Sequence, residues 1–506
     1  AQAIGLLHNP SAQCSSSGSM TWHRTFLIVQ VVCLPFIAVG SVLRSRAKEV
    51  EKELFYGVVV DAGSSGSRIR MFKWTLSSKV DLTEIVPLDE DEHLFEVYPG
   101  LSAHSDEPSE ALPALSSLIK AAQMYIPRSA WEDTLFYLKA TAGMRLLPTS
   151  KATKLMNIVR EFLLDAGNCP FKFADAEIIS GEEEAVFTYL TANYNLGTLS
   201  SSSKPVGALE MGGASMQVIF RPTADIQDHE FNFYMGEELQ SVYAKSYIRF
   251  GSNDALARMF QAVAQSSNGF AEVASPCHNR GFKEEVVLPS GRKQIFVGSG
   301  NLSACTEVVQ RLMGLDIECL MPPCAIFGSY MTPVSGKFYA IASFFYTANG
   351  LGLVGWKDSK TLSPNAIAKA TASYCEKDLE TAQRDSGAPM KFAEKYCFLG
   401  TYVHQSLLAF GFAHDDSSIT FSRKINGVNL GWPAGAMLYE TRLMPLSLNS
   451  KDSGIRSLCS PVSNDHQIDA DASKKERESL KHSGVRNGAM HFLIIVLIAG
   501  IGIIQQ

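Results

Sequence analysis

Two segments of the chain repeat one layout: an apolar strand, an acidic residue, a turn of small residues and a second apolar strand. The first is FYGVVVDAGSSGSRIRMFKW at 55–74, and the second is VGALEMGGASMQVIF at 206–220. In each copy the first strand delivers a carboxylate, Asp61 or Glu210, to its carboxyl end. Small residues in the turns let backbone N–H groups approach phosphate oxygens and form an anion-binding nest. Two such turns facing each other across a cleft predict a site for a polyphosphate and its metal.

Hydroxyl groups in and beside the turns add hydrogen-bond donors for phosphate: Ser64, Ser65, Ser67 and Ser215. One such motif alone is more often an ordinary β-hairpin with a glycine-rich turn. Two copies with the same order of parts favour the phosphate interpretation. Neither turn carries G-x-x-x-x-G-K-[ST] and neither runs directly into a helix, so a P-loop is excluded.

Two further polar segments follow predicted strands. Thr141, Ala142 and Arg145 come directly after the apolar strand TLFYLKA, and a turn with one guanidinium suits a phosphate or a buried carboxylate equally well. The segment ISGEEEAVFTYL at 179–190 places three glutamates at the start of a helix. A charged first turn, favoured by the helix dipole, explains all three. Alternatively, one of the three glutamates turns inward and acts as a general base. The spacing does not distinguish these two interpretations.

Tyr402 lies on the predicted amphipathic helix YCFLGTYVHQSLLAFGF at 396–412. A tyrosine in such a helix is more often part of the core than a ligand contact. The alternative is an exposed ring that stacks on a nucleobase. Both interpretations stay open at the level of the sequence.

Short β-branched runs alternate with helical-period segments after residue 54, a pattern typical of βαβ units, so the predicted fold class is α/β. The folded body occupies about residues 55–447. A polar, charged tether at 448–487 follows it. With 46% hydrophobic residues the chain is neither disordered nor fibrous. Its net charge of -6 argues against nucleic acid as a partner.

Two uncharged apolar stretches, 25–43 and 488–504, are close to the roughly 20 residues that cross a bilayer core. We expect both to span the membrane lipid, the first after an N-terminal tail at 1–24. A signal-peptide core, which is shorter, is the alternative for the first stretch. Basic residues after that stretch favour a cytosolic body. Six cysteines in the later half of the body, without zinc spacing, and a single sequon at Asn301 favour the lumenal or extracellular side, which we prefer.

Five segments in this order resemble the apyrase family of ecto-nucleoside triphosphate diphosphohydrolases, a branch of the actin, sugar-kinase and heat-shock ATPase superfamily. They are VVVDAGSSGSRI, YLKATAGMRLL, IISGEEEAVFTYLTANY, GALEMGGASMQVIF and, more loosely, NGVNLGWPAGAML. The resemblance implies a ribonuclease H-like fold of two lobes with the active site in the cleft between them. It assigns 55–180 and a C-terminal return at 428–447 to lobe I, and 181–427 to lobe II.

The resemblance also implies hydrolysis of nucleoside tri- and diphosphates to lower phosphates, with Ca²⁺ or Mg²⁺ as cofactor. It assigns the metal, through its waters, to Asp61 and Glu210. Glu184 is the implied catalytic base, and Ser215 and Gln217 position the attacking water. The implied phosphate contacts are Ser64, Ser65, Gly66, Ser67, Thr141, Ala142, Arg145, Gly212, Gly213 and Ala214.

Phe345 and Tyr402 are the rings that the resemblance places on either side of the nucleobase. Cys319 with Cys324 and Cys375 with Cys397 resemble the disulfides of the family in spacing, and we expect Cys277 and Cys305 to form a third pair. Cys14, Cys33, Cys169 and Cys459 have no assigned partner. By analogy with family members that have two spans, a homo-oligomer is expected.

Three places depart from the family pattern, one of which is WPAG at 432–435, where W-x-L-G is more usual. Glu210 stands where aspartate is usual, which leaves the position and preference of the metal open. Gly66 replaces a histidine common in cell-surface members and resembles the organelle-type members. The predicted location is the cell surface, and Gly66 leaves the lumen of the Golgi or another secretory compartment open as the alternative. The ratio of triphosphate to diphosphate activity stays open for the same reason.

Two other functions compete with hydrolysis. A kinase of the same superfamily requires a second pocket for a hydroxyl acceptor. A nucleotide-binding ectodomain without turnover requires the glutamates only as a helix cap. The hydrolase is preferred because a binding module leaves the acidic residue on both turns unexplained.

Overall fold

The protein is a two-lobed α/β structure built on two large sheets. The computed structural model describes residues 54–75, 82–84, 95–199, 203–235, 238–267, 270–288 and 290–441. Both predicted spans and the polar tether lie outside these ranges, as do Cys14, Cys33 and Cys459. Among the helices of the described ranges, none has the length and apolar character needed to cross a bilayer.

The first sheet has the strand order β3-β2-β1-β5-β6, with β4 paired to β2. Its strands are β1 Leu54–Ala62, β2 Ser67–Thr75, β3 Thr83–Glu84, β4 Glu96–Val97, β5 Leu135–Ala140 and β6 Lys172–Ile178. β1 and β2 form an antiparallel hairpin. β5 runs parallel to β1, and β6 runs parallel to β5. Because β1 lies between two strands, its residues 58–60 are fully enclosed, which matches the apolar run VVV.

The second sheet has the order β15-β16-β14-β7-β8-β10-β9. Its strands are β7 Gly207–Met211, β8 Ser215–Phe220, β9 Glu230–Met235, β10 Glu238–Ile248, β14 Phe338–Ala342, β15 Lys360–Thr361 and β16 Ile419–Phe421. Two small sheets complete the described strands: β11 Glu272–Ser275 with β12 Lys283–Val287 and β13 Lys293–Gly298, and β17 Lys424–Ile425 with β18 Val428–Asn429.

The two large sheets share one topology, a hairpin followed by two parallel strands. In the first sheet β1 pairs antiparallel with β2 and parallel with β5, and β5 pairs parallel with β6. In the second sheet β7 pairs antiparallel with β8 and parallel with β14, and β14 pairs parallel with β16. Asp61 pairs with Arg68 in the first hairpin, and Glu210 pairs with Gln217 in the second. Each acidic residue is thus one position before the end of its strand. The repeat seen in the sequence is a repeat of structure.

Helices cover the sheets. They are α1 Leu112–Tyr125, α2 Ala142–Arg145, α3 Thr149–Leu164, α4 Gly181–Leu196, α5 Ser252–Gln265, α6 Leu302–Leu312, α7 Ser343–Gly350, α8 Pro364–Glu376, α9 Leu379–Ser386, α10 Met390–Ala393, α11 Tyr396–Ala409 and α12 Trp432–Glu440. Four short 3₁₀ segments occur among the described residues, at Leu101–His104, Pro108–Ala111, Arg128–Asp133 and Ile326–Gly328.

Helix α4 lies between the two sheets. Its start is set by a capping box, in which the Ser180 side chain accepts from the Glu183 N–H and the Glu183 carboxylate accepts from the Ser180 N–H. It ends at Gly197, which adopts the left-handed conformation with φ 68°. Its apolar side chains pack in two directions: Phe187 joins a core with β1, β2 and α12, whereas Val186 and Leu190 join a core with β7, β8 and β10.

Helix α12 returns from the second lobe and packs closely on α4. Gly435 makes this contact possible, since a Cβ at that position would lie 1.8 Å from the Phe187 carbonyl oxygen. The Gly435 N–H donates to Thr191 Oγ1 over 2.8 Å, which adds a hydrogen bond between the helices. The contact holds the first turn of α4, which carries the three glutamates, in a defined position between the lobes.

Candidate active site

The two Gly/Ser turns converge at the cleft. A Cβ placed on Gly213, in the turn of the second lobe, would lie 2.8 Å from Ser64 Oγ and 2.7 Å from Ser65 Oγ of the first lobe. Asn253 at the start of α5 donates from Nδ2 to Ser65 Oγ over 3.1 Å. A side chain larger than hydrogen at position 213 would separate the turns. The predicted opposition of the two turns is therefore present in the fold.

The segment after β5 lies beside the first turn. The Thr141 N–H donates to the Ala62 carbonyl oxygen over 3.2 Å. A Cβ on Gly143 would lie 2.8 Å from Ser64 Cα, so this helix start packs directly against the turn. Thr141 and Ala142 are both buried there. The structure thus brings a third predicted segment to the same place.

The three glutamates at the start of α4 have three different partners. Glu183 closes the capping box. The carboxylate of Glu182 accepts from the Ser246 N–H over 3.2 Å. Glu184 turns into the cleft and is only 8% exposed. The sequence left open which glutamate points inward, and helix geometry decides it, since successive residues project about 100° apart.

Arg145 is the cationic partner of Glu184. Its Nη2 lies 2.9 Å from Glu184 Oε2 and 3.3 Å from Ser215 Oγ. Its Nη1 donates to the Ile179 carbonyl oxygen over 2.9 Å, which fixes the guanidinium plane. Of the two partners that the sequence allowed for Arg145, phosphate or carboxylate, the structure has the carboxylate.

Ser215 and Gln217 complete a buried polar network with Glu184. Gln217 Nε2 donates to Ser215 Oγ over 2.7 Å and to Glu184 Oε2 over 3.2 Å. Ser215 Oγ therefore accepts from both Arg145 and Gln217, which leaves its own proton free to donate into the cleft. In the part of the chain that the structure describes, no protein group donates to Glu184 Oε1.

Three carboxylates influence one another across the cleft. Burial raises the pKa of Asp61 to about 6, opposed by the charges of Arg68 and Arg70. Burial also raises the pKa of Glu184, against the lowering effect of Arg145, and the charge of Asp61 raises it further. Burial raises the pKa of Glu210 as well, and Glu184 and Asp61 add to the increase. The strand-end carboxylates of the two lobes thus lie close enough to repel each other.

Glu210 has a distinct contact that its length permits. Its Oε2 accepts from Thr188 Oγ1 on α4 over 2.5 Å. Thr188 lies one turn after Glu184, so the same helix holds both carboxylates. The extra methylene of glutamate carries the carboxylate to this threonine.

Phe345 and Tyr402 do not sandwich a base in this fold, which corrects the expectation from the sequence. Phe345 is 0% and Tyr402 is 1% exposed. The Tyr402 hydroxyl donates to the Phe250 carbonyl oxygen over 2.9 Å, and its ring stacks on Phe398. A ring enclosed by core side chains has no free face for a ligand. The core interpretation of Tyr402 is the one that the structure supports.

Two neighbouring rings are exposed instead. Tyr346 is 43% and Trp356 is 51% exposed, and their rings stack with centroids 5.8 Å apart. Surrounding protein raises the pKa of Tyr346, opposed by the charges of Arg423, Arg68 and Arg70. Because Arg68 and Arg70 belong to β2, this aromatic pair of Tyr346 and Trp356 faces the first lobe. A signal for it in the sequence is Trp356 itself, a large ring in the glycine-rich segment GLGLVGW at 350–356.

All three expected disulfides are present: Cys277–Cys305, Cys319–Cys324 and Cys375–Cys397. Cys169 is a free thiol buried in the core of the first lobe. Asn301 is exposed and caps α6, where its side-chain oxygen accepts from the Ala304 N–H over 3.1 Å.

Comparison with known proteins agrees with this site. The GDA1/CD39 (nucleoside phosphatase) family matches residues 47–457. Ectonucleoside triphosphate diphosphohydrolase 8 of Bos taurus is 30% identical over 428 residues, with 77% of this chain and 83% of that protein covered. Probable apyrase 3 of Arabidopsis thaliana is 30% identical over 436 residues, with 80% and 85% covered.

Among solved structures, the nucleoside triphosphate hydrolases of Neospora caninum have a similar fold. The TM-score is 0.57 at 15% identity, with 82% of this chain and 98% of that chain covered. Fold and site together define a two-lobed phosphohydrolase with a carboxylate-lined cleft. The chain belongs to the GDA1/CD39 family of nucleoside phosphatases.

Replacing Arg145 tests its link to Glu184. Arg145→Met removes the charge that lowers the pKa of Glu184, so the carboxylate forms only at higher pH. We expect the acidic limb of kcat/KM against pH to move to higher pH, with a larger loss of rate at pH 6 than at pH 8. Arg145→Lys keeps the positive charge and is the matched control, for which a smaller displacement is expected. Superimposable pH profiles of the Met variant and the wild type would show that Arg145 does not act on Glu184.

Proposed function

We propose that the protein hydrolyses nucleoside tri- and diphosphates to lower phosphates and inorganic phosphate by direct attack of water on the terminal phosphorus. The observation that carries this proposal is the position of Glu184, buried and bonded to Arg145, beside two converging Gly/Ser turns. The names of the relatives, which include diphosphohydrolases and an apyrase, support it. Phosphate release from ATP without any acceptor separates this function from that of a kinase.

Glu184 acts as the general base. Both side-chain donors reach Oε2, so Oε1 remains to accept a proton from the attacking water. Burial brings the pKa of Glu184 to about 7, where a carboxylate is a better proton acceptor than in bulk water yet still ionises near neutral pH. As the proton moves to Oε1, the water oxygen bonds to phosphorus and the bond to the leaving phosphate oxygen breaks.

Ser215 and Gln217 orient the groups around that water. The Ser215 hydroxyl accepts from Gln217 and Arg145, and this directs its own proton toward the water or a phosphate oxygen. All members of the network are held by hydrogen bonds before substrate arrives. Such preorganisation lowers the cost of placing the reacting atoms. The backbone of the two turns supplies donors for the phosphate oxygens.

Asp61 and Glu210 suit a Ca²⁺ or Mg²⁺ ion held through its waters. Burial raises the pKa of Asp61, and burial together with the charges of Glu184 and Asp61 raises that of Glu210. A dication in the cleft would offset this negative charge. Within the described ranges, no group of three or more His, Cys, Asp or Glu residues has the arrangement of a metal site. Asp61 and Glu210 would hold such an ion through its waters, a mode of binding that is usual for Mg²⁺. When bound, the ion neutralises charge on the phosphate oxygens.

The aromatic pair of Tyr346 and Trp356 binds the nucleobase. The guanidinium of Arg423 lies 4.8 Å from the centre of the Trp356 ring and supports it from one side. Stacking accepts any base because every base has a π-face. The buried Phe345 contacts both rings, with centroids 5.8 Å from Tyr346 and 6.1 Å from Trp356, and supports them from within the core.

We place the body of the protein on the lumenal or extracellular side, with the cell surface preferred. Three disulfides form and persist only in an oxidising environment, which supports this side. The exposed Asn301 of the sequon is consistent with it. Anchoring in the membrane and assembly of copies remain part of the proposal.

Glu184→Gln is expected to abolish turnover while nucleotide binding is retained. Loss of the base lowers kcat by about 1,000-fold or more, because general-base catalysis contributes on the order of 10² to 10⁴. The measurements are phosphate release and the Kd of a nucleotide by calorimetry. Glu183→Gln is the matched control, because Glu183 belongs to the capping box and does not turn into the cleft. Its kcat should stay within about threefold of the wild type. Unchanged turnover of the Glu184 variant would remove Glu184 from the mechanism, whereas a wild type that binds nucleotide without turnover would favour a binding ectodomain.

Removal of divalent cations is expected to stop phosphate release from both ATP and ADP. Rates are measured with a chelator and after Ca²⁺ or Mg²⁺ is added back, and restoration is expected with excess ion. Asp61→Asn should lower kcat/KM by about 100-fold or more. Asp225→Asn, at an exposed position, is the control for general charge effects. A rate that the chelator leaves intact would remove the metal from the mechanism.

Tyr346→Ala is expected to raise KM for ATP by about tenfold with kcat retained, since base stacking contributes about 1–3 kcal/mol. Inorganic tripolyphosphate has no base, so its KM should stay within about twofold. Tyr234→Ala is the control, because Tyr234 is 66% exposed and lies on an outer strand of the second sheet. An equal rise of KM for tripolyphosphate would place the ring on the phosphates instead.

A further inference from the structure

Glu182, the first of the three glutamates, binds the backbone of strand β10. Its Oε1 accepts from the Ser246 N–H over 3.2 Å. Strand β9 pairs with β10 only along 238–243, and the Ala244 N–H still donates to the His229 carbonyl oxygen. Ser246 is the next residue whose N–H points to this open edge, because N–H directions alternate along a strand. The Glu182 carboxylate therefore takes the place of a strand partner there.

Ser246 also contacts the polar network around Glu184. It pairs with Gln217 across β10 and β8, so the two side chains lie side by side on one face of the sheet. Gln217 Nε2 donates to Ser246 Oγ over 3.3 Å, in addition to its bonds to Ser215 and Glu184. The contacts form a ring that leaves α4 at Glu182 and returns to it at Glu184.

The start of α4 lies directly on Ser246. A Cβ on Gly181 would lie 2.1 Å from Ser246 Oγ and 2.3 Å from Ser246 Cβ, so the helix approaches the strand as closely as a glycine allows. The charge of Glu182 raises the pKa of Glu184 and so opposes its ionisation. That charge is no help to a base, and the contribution of Glu182 to this turn is its hydrogen bond to β10.

We propose that Glu182 and Ser246 are positioning residues for the general base. The inference rests on the proposed function. Glu182 fixes the first turn of α4 against β10, and Ser246 holds the Gln217 amide where it donates to Glu184 Oε2. Without these bonds the Glu184 carboxylate is free to rotate, which moves Oε1 away from the attacking water. The loss then falls on kcat and not on substrate affinity.

Two substitutions of Glu182 separate its hydrogen bond from its charge. Glu182→Gln and Glu182→Leu both remove the charge, but only glutamine keeps an oxygen that accepts from the Ser246 N–H. With ATP and saturating Mg²⁺, the full chain with Glu182→Leu should lose about tenfold in kcat at its pH optimum, because a 1 Å misplacement costs on the order of 100-fold. Its KM should stay within about twofold, and Glu182→Gln should keep kcat within about threefold of the wild type.

Substitution of Ser246 tests the other half of the ring. Ser246→Ala removes the hydroxyl and keeps the backbone bond to Glu182, so its unfolding midpoint should match the wild type. It should lower kcat by about fivefold in the wild-type chain and by less than about 1.5-fold in a Gln217→Ala background, because its effect passes through Gln217. Ser241→Ala, on the same strand, is the control and should leave kcat unchanged, since the Ser241 hydroxyl donates to Asn232 Oδ1.

An unchanged kcat in Ser246→Ala overturns the inference, as do equal losses in the two backgrounds or in the two Glu182 variants. If Glu182→Leu does not fold, the two Ser246→Ala measurements decide alone. A wild-type chain that releases no phosphate overturns the proposed function itself. Normal turnover of the wild type with any of these contrary outcomes overturns only the positioning role.

Discussion

The accumulation of negative charge between the lobes is the constraint on which the site depends. Asp61 and Glu210 come from the two equivalent strand ends, and Glu184 comes from the first turn of α4. Burial disfavours the ionised form of each carboxylate, and the charge of Asp61 raises the pKa of Glu184 and Glu210 further. Arg145 compensates Glu184 directly. The two strand-end carboxylates have no such direct ion pair among the described residues.

The central helices turn this electrostatic arrangement into a defined geometry. α4 packs on both sheets, and its capping box sets the rotation of its first turn. α12 fixes α4 from the other side through the close approach at Gly435. Because Glu184 and Thr188 are one turn apart, the same helix orients the Glu184 carboxylate and, through Thr188, binds the Glu210 carboxylate. Helix packing thus decides which of three adjacent glutamates turns into the cleft.

Much of this arrangement could be predicted from the residues. The repeated strand–acid–turn layout led to two equivalent hairpins with the acids in equivalent registers, because an apolar strand and a glycine-rich turn are local properties of the chain. The disulfide pairs expected from the family resemblance were confirmed. The predicted aromatic site, Phe345 with Tyr402, was wrong. Whether a ring in FFY or in a mostly apolar helix is buried depends on residues far along the chain, such as Phe250, which lies beside Tyr402.

The sequence by itself determined the α/β class, the duplicated hairpins and the set of acidic, hydroxyl and glycine residues that a phosphate site requires, because strand period and turn chemistry are written into consecutive residues. Only the tertiary structure decided that Arg145 binds a carboxylate, that Tyr346 and not Phe345 is exposed, and that Glu182 binds the backbone of β10. These outcomes depend on which surfaces of distant segments meet when the two lobes pack on α4. Such contacts depend on the volumes and charges of side chains from distant segments, and local sequence patterns do not predict them.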